Sequence, residues 1–271
     1  MTSPTTLEIS SSFAFAADSP TDCLLQFEVA VAPGQRIVSS AASVTDGITT
    51  NHVVADDGLG SRMWLTADGN VSVTYSAQME ITRQAAPLAS LAAAAPHDLP
   101  GEAVKYLFDS RYCPAGRFGM YVDSEFGDTA GRANGGVRVE AIRAWIARHF
   151  SYTAGVSGPN TTGADSFIDR AGVCRDYAHV MVMLARASGI PARYVSCYGP
   201  DVSPQDFHAA AQVYLADGSG AGAWHLVDAT GMARAEDTAI IGVGRDAADV
   251  SFLTSFGMVE FHSSAVEVVR A

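Results

Sequence analysis

Cys174 stands in the run Gly172-Val173-Cys174-Arg175-Asp176-Tyr177-Ala178-His179, at the mouth of a segment with helical spacing. From Arg175 to Ser188 the apolar residues Ala178, Met181, Val182, Leu184 and Ala185 recur mostly three and four apart, which predicts an amphipathic helix. Gly189 suits the left-handed residue that closes such a helix, and Pro191 keeps it from resuming. A thiol in the first turn lies beside free backbone amides and the positive end of the helix dipole. Both favour the thiolate, the reactive form of cysteine. Nucleophilic catalysis is the chemistry this address suits. Because free cysteine also serves as a small apolar filler, the address needs a base and an orienting group before it can be catalytic.

Candidates for both lie downstream. Asp206-Phe207-His208-Ala209-Ala210-Ala211-Gln212-Val213-Tyr214-Leu215 alternates as a strand, with His208 on the opposite face from Phe207. After a glycine-rich turn, Trp224-His225-Leu226-Val227-Asp228-Ala229-Thr230 reads as the next strand. Cysteine on a helix, histidine on one strand and aspartate on its neighbour can converge as nucleophile, base and orienter. His225 is the second candidate base, on the opposite strand face from Asp228 by parity. His179 falls roughly one and a half helical turns from Cys174, so a structural partner suits it better than catalysis. Asp176 is the alternative orienter, although a carboxylate in a first helical turn is explained by the dipole alone. Asp228 likewise fits the turn chemistry of Asp-Ala-Thr.

In order along the chain, GVCRDYAH, GIPARYVS, DFHAAAQVYL and WHLVDATG resemble the bacterial branch of the transglutaminase-like superfamily of cysteine enzymes. The resemblance runs from about Tyr106 to about Val250, taking in Ser110-Arg111-Tyr112-Cys113-Pro114 and Gly244-Arg245-Asp246-Ala247-Ala248-Asp249-Val250. It implies a triad of Cys174, His208 and Asp228, acyl transfer through a thioester, and a peptide, protein or small amide as substrate. By the same analogy Tyr152 is a cleft wall or an oxyanion donor. Many relatives carry a tryptophan two residues after the triad histidine, where this chain has Ala210. Hydrolysis of an amide or peptide bond is the expected outcome, since a cross-linking enzyme needs a dry acceptor channel with large apolar walls. Of Trp64, Trp145 and Trp224, only Trp224 falls beside the triad strands. Amine transfer to protein glutamine and a non-catalytic binding module are the alternatives.

These residues need a frame to hold them. The expected class is α+β: a papain-like or transglutaminase-like core with the nucleophile helix packed on an antiparallel sheet, preceded by a β-rich, sandwich-like region. That region spans residues 1–83, where Leu25–Val31 and Val71–Tyr75 alternate between the turn signals Pro33-Gly34, Asp57-Gly58 and Asp68-Gly69-Asn70. Residues 84–100, rich in alanine and broken by Pro87, Pro96 and Pro100, read as a protease-accessible connector, and 101–271 as the catalytic unit. A further helix fits Val139 to Phe150, with Ile142, Trp145, Ile146 and Phe150 on one face.

A net charge of −12 without a Lys/Arg cluster argues against nucleic acid or an anionic membrane as partner. No secretory signal or membrane-spanning run is visible, so a cytoplasmic location is expected. Cys23, Cys113, Cys174 and Cys197 lie in four separate segments, which suits reduced thiols. Paired CxxC, HExxH, acidic calcium loops, G-x-S-x-G, P-loop and dinucleotide patterns are all missing, so neither a metal nor a cofactor is implied.

Overall fold

The computed structural model describes residues 4–217, 220 and 222–271. Its first sheet is built on β1 (Thr5–Leu25), β2 (Gln35–Val44), β3 (Thr50–Val54) and β4 (Ser61–Ile81). β1 and β4 run antiparallel from Thr5 opposite Ile81 to Leu25 opposite Met63, with a register slip between Ala17 and Thr21. Period-two alternation buries Leu7, Ile9, Phe13 and Phe15 on one face, against Val71, Val73, Tyr75 and Met79 of β4. β2 and β3 both pair with β4.

The chain then crosses through β5 (Ala92–Ala93), α1 (Gly101–Val104), α2 (Gly119–Glu125) and α3 (Gly135–His149). Next come β6 (Ser151–Tyr152), α4 (Gly163–Asp169), β7 (Ala171–Gly172) and the long α5 (Cys174–Ala187). β8 (Ala192–Tyr198), β9 (His208–Ala216), β10 (Gly222–Val227) and β11 (Ala239–Gly244) form the second sheet, in the order β10-β9-β8-β11. α5 lies on β8 and β9 with α3 and α4 against it, the expected arrangement of helix on antiparallel sheet. Enclosed on several sides, α5 is buried from Asp176 through Arg186, so its polar residues are inside as well. Gly189 closes it at φ +73°, with the Ile190 N–H reaching back to the Ala185 carbonyl at 3.0 Å.

α3 begins four residues before the expected Val139. A Cβ on Gly135 or Gly136 would collide with the backbone of Ala93 or Leu88, so two glycines let the helix start pressed against the connector. That contact ties down residues 84–100. Ala92 and Ala93 pair with Ala216 and Leu215, the Gly136 N–H donates to the Leu91 carbonyl at 2.9 Å, and Leu91 is buried. Limited proteolysis is therefore expected to cut the exposed Asp46-Gly47 turn before any bond between Leu88 and Ala93. First cleavage inside 88–93, mapped by mass spectrometry, would contradict this pinning.

The sequence reading assigns 101–271 to a single unit, but the structure sends its end back to the first sheet. After α6 (Ala247–Val250), β12 (Leu253–Ser255) and β13 (Glu260–Arg270) both pair antiparallel with β1. The physical reason is an open edge: β1 has hydrogen-bonding groups on the side away from β4, and β13 satisfies them while burying Val266 and Val268 in the sheet core. The two sheets also share that core, since Tyr198, Ala239 and Ile241 of the second pack into it. Tyr198 donates its hydroxyl to the Phe27 carbonyl at 2.8 Å. Asp57 accepts hydrogen bonds from Lys105 (2.7 Å), Tyr106 (2.7 Å) and Arg193 (2.9 Å) across the same boundary. Among the described residues, no helix is long and apolar enough to cross a membrane.

Candidate active site

Cys174 is the first residue of α5. The helix start is held by Asp176, whose buried carboxylate accepts the Val173 N–H at 2.8 Å and the Ser157 hydroxyl at 2.6 Å. Gly172 is required here, because a Cβ at that position would lie 2.5 Å from the Asp176 side chain. Arg175 donates to the Gly158 carbonyl at 2.7 Å and to Asp176 at 3.3 Å. Asp176 is thus committed to the helix N-terminus, and the role of alternative orienter does not fit it.

His208 opens β9, opposite Cys197 of β8. Its Nε2 lies 3.0 Å from Asp228 Oδ2, and its Nδ1 is buried without a hydrogen-bond partner. Cys174 Sγ lies 4.0 Å from the carbonyl of Phe207, the residue before His208. Asp228, just past β10, is fixed independently of the histidine. It accepts the Thr230 N–H (2.9 Å) and hydroxyl (2.7 Å), the Met232 N–H (3.0 Å) and the Ala233 N–H (2.8 Å). The turn chemistry and the orienting contact therefore belong to one carboxylate.

The electrostatics of the pair follow from these bonds. Burial works against charge on His208, but the hydrogen bond to Asp228 and the neighbouring Cys174 outweigh it, and its pKa is raised. Burial likewise opposes ionisation of Asp228, yet the bonds from His208 and Thr230 hold its carboxyl below the usual carboxylate value. Cys174 and His208 line one cleft of about 700 Å³, which also takes in Tyr152, Tyr194, Asp206 and Phe207. The other thiols are fully buried, and burial pushes Cys113 up to about 12 and Cys197 well above its ordinary value.

The competing histidines fall elsewhere. His225 lines a second depression with Arg83, Trp224 and Arg234, which Asp228 borders but which takes in neither Cys174 nor His208. His179 is buried between Tyr112 and Tyr194, accepts the Ala247 N–H at 3.2 Å on Nε2, and is kept neutral by burial, which lowers its pKa to about 3. Tyr152 stands in the cleft beside Cys174, close enough for the thiol to raise its pKa, after burial as the larger cause, to about 12. Among the described residues, no group of three or more His, Cys, Asp or Glu side chains is arranged to hold a metal ion. Sequence reasoning passed over Phe252, Leu253, Phe261 and Ser264, which line the cleft from β12, β13 and the link before them. The alternation of 260–270 marks a strand but not the sheet it joins.

The sequence model of the Transglutaminase-like superfamily matches residues 127–229, the segment that carries Cys174, His208 and Asp228. The fold matches a solved structure described as "a Putative Cysteine Protease from Cytophaga hutchinsonii", with a TM-score of 0.90 and 29% identity, over 99% of this chain and 91% of that one. An uncharacterized protein of Mycobacterium leprae is 32% identical over 123 residues, 42% of each chain. One from Mycobacterium tuberculosis is 30% identical over 143 residues, covering 48% of this chain and 46% of its own. The matched region thus spans less than half the length of these curated relatives. Residues 127–229 thus carry a transglutaminase-like domain, in a chain whose fold resembles that cysteine-protease structure over nearly its whole length.

Proposed function

We propose that the protein is a cysteine-dependent enzyme that hydrolyses an amide or peptide bond through a thioester on Cys174. The observation that carries this reading is the chain of contacts at the cleft: Cys174 and His208 face the same space, and the far nitrogen of His208 is held by Asp228 at 3.0 Å. The thiolate attacks the carbonyl carbon, forming a C–S bond, and the Cys174 backbone N–H stabilises the oxyanion. The His208 imidazolium gives its proton to the amine nitrogen as the C–N bond breaks. Water then attacks the thioester, His208 takes its proton, and the thiolate leaves as the carboxylic acid product forms. Asp228 keeps the ring oriented and supports its positive charge. The Cytophaga hutchinsonii protein's description as a "Putative Cysteine Protease" supports hydrolysis as the outcome.

Water and amines compete for the same thioester, so the products decide the reaction. A small acyl donor offered with excess primary amine is expected to give mainly free acid by mass spectrometry. Amide exchange dominating over a range of amine concentrations would instead establish the transferase. Preferential labelling of Cys113 or Cys197 over Cys174 by a thiol-directed activity probe would overturn the nucleophile assignment.

A further inference from the structure

One wall of the cleft comes from outside the segment matched to the superfamily. Phe252, Leu253, Phe261 and Ser264 face Cys174 and His208 from the strands that return to the first sheet. This wall is aromatic and continuous with Phe207. Phe252 stacks on Phe207 with centroids 4.7 Å apart and planes at 4°, and Phe261 meets Phe252 edge-on at 5.7 Å. Phe261 is 45% exposed, so its ring extends the surface into the open part of the cleft.

The charges lining the same space act differently. Arg175 donates from one guanidinium nitrogen to the Gly158 carbonyl and Asp176, while its Nε is buried without a hydrogen-bond partner. Asp206 is exposed at the rim, and its Oδ1 accepts the N–H of Phe207. A volume of about 700 Å³ admits several residues of an extended peptide.

We infer that the acyl donor is a peptide-like amide with an apolar side chain of aromatic size beside the scissile carbonyl, seated on the Phe207–Phe252–Phe261 wall. The inference rests on the reading of Cys174 as nucleophile and adds the substrate class to it.

Peptidyl chloromethyl ketones bearing Phe or Gly next to the carbonyl test it without a known substrate, with iodoacetamide run in parallel. The second-order rate of Cys174 modification is followed by intact mass and peptide mapping. The Phe reagent is expected to react roughly tenfold or more faster than the Gly reagent, because the ring leaves water for the wall. In Phe261→Ala the Phe-to-Gly ratio should fall several-fold, and in Phe261→Leu by less. Phe261 is exposed enough for both variants to fold, which thermal melting verifies. Equal Phe and Gly rates, or a ratio unmoved by Phe261→Ala, would overturn the preference while iodoacetamide labelling left the nucleophile standing. If no reagent modified Cys174, the nucleophile reading would fail and the preference with it.

Discussion

Cys174→Ala and His208→Ala are each expected to lower turnover by on the order of 10³-fold or more, and the double variant to be no worse than either single one. The non-additivity follows from the chemistry: without the thiol there is no thioester, and without the imidazole nothing protonates the leaving amine. Cys174 is only partly buried, at the edge of a small cluster with Ala178, Tyr194 and Ala209, so its alanine variant should melt close to the parent protein. His208 is buried, and its removal deprives Asp228 of a partner. Thr230, Met232 and Ala233 still bond that carboxylate, so a loss of about 1–3 kcal/mol is expected, not unfolding. His225→Ala should retain activity, since His225 lines a different depression. Steady-state kinetics on the three variants decide it: near-normal activity in His208→Ala with loss in His225→Ala would transfer the base.

Asp228→Asn should lower the rate by on the order of 10²–10⁴-fold and also move the alkaline limb of the pH profile. Asp228 raises the His208 pKa and so keeps the proton-donating imidazolium populated at higher pH. Asparagine removes that negative charge, the ring loses its proton earlier, and the limb should shift to lower pH by roughly a unit or more. The limbs belong to the coupled Cys174–His208 pair, so the shift, not an absolute position, is the quantity to read. Stability carries the same signature. The raised His208 value contributes stability that is fully present below about pH 6.5 and is lost as pH climbs through the folded value. The lowered Asp228 value contributes above about pH 3.9 and is lost as pH falls through its folded value. The pair is therefore most stabilising between about pH 4 and 6.5. An alkaline limb unmoved in Asp228→Asn, with kcat reduced, would mean that Asp228 acts on geometry alone.

The parts of this arrangement written in local sequence are those set by short-range rules. α5 ends where Gly189 must turn left-handed, whereas the alternation expected to set His208 apart from Phe207 is not seen in burial: β9 is buried almost throughout and Phe207 lines the same cleft as His208. Asp228 is legible as a turn residue, but its contact with His208 joins two strands and needs the resemblance to anticipate it. Other features depend on partners far along the chain. Nothing near Phe261 indicates that β1 is its neighbour, and nothing near Asp57 points to Lys105, Tyr106 and Arg193. The connector misleads for the opposite reason. Its alanines and prolines carry no apolar pattern, while the contacts that fix it are backbone bonds to α3 and β9.

The pairing of β13 with β1, Arg270 opposite Leu7, also sets an order in time. During synthesis the first sheet must wait with one side of β1 uncovered while the helices and the second sheet emerge, a long interval for an unpaired strand. Cys174, His208 and Asp228 leave the ribosome before Phe252 and Phe261, so a nascent chain holds the proposed nucleophile before it has the wall that lines its cleft. The β1–β13 pairing is a contact of very long range, which makes it a slow event in folding. The cleft is finished by that last step, and a thiol assay timed against refolding should show reactivity arriving before selectivity.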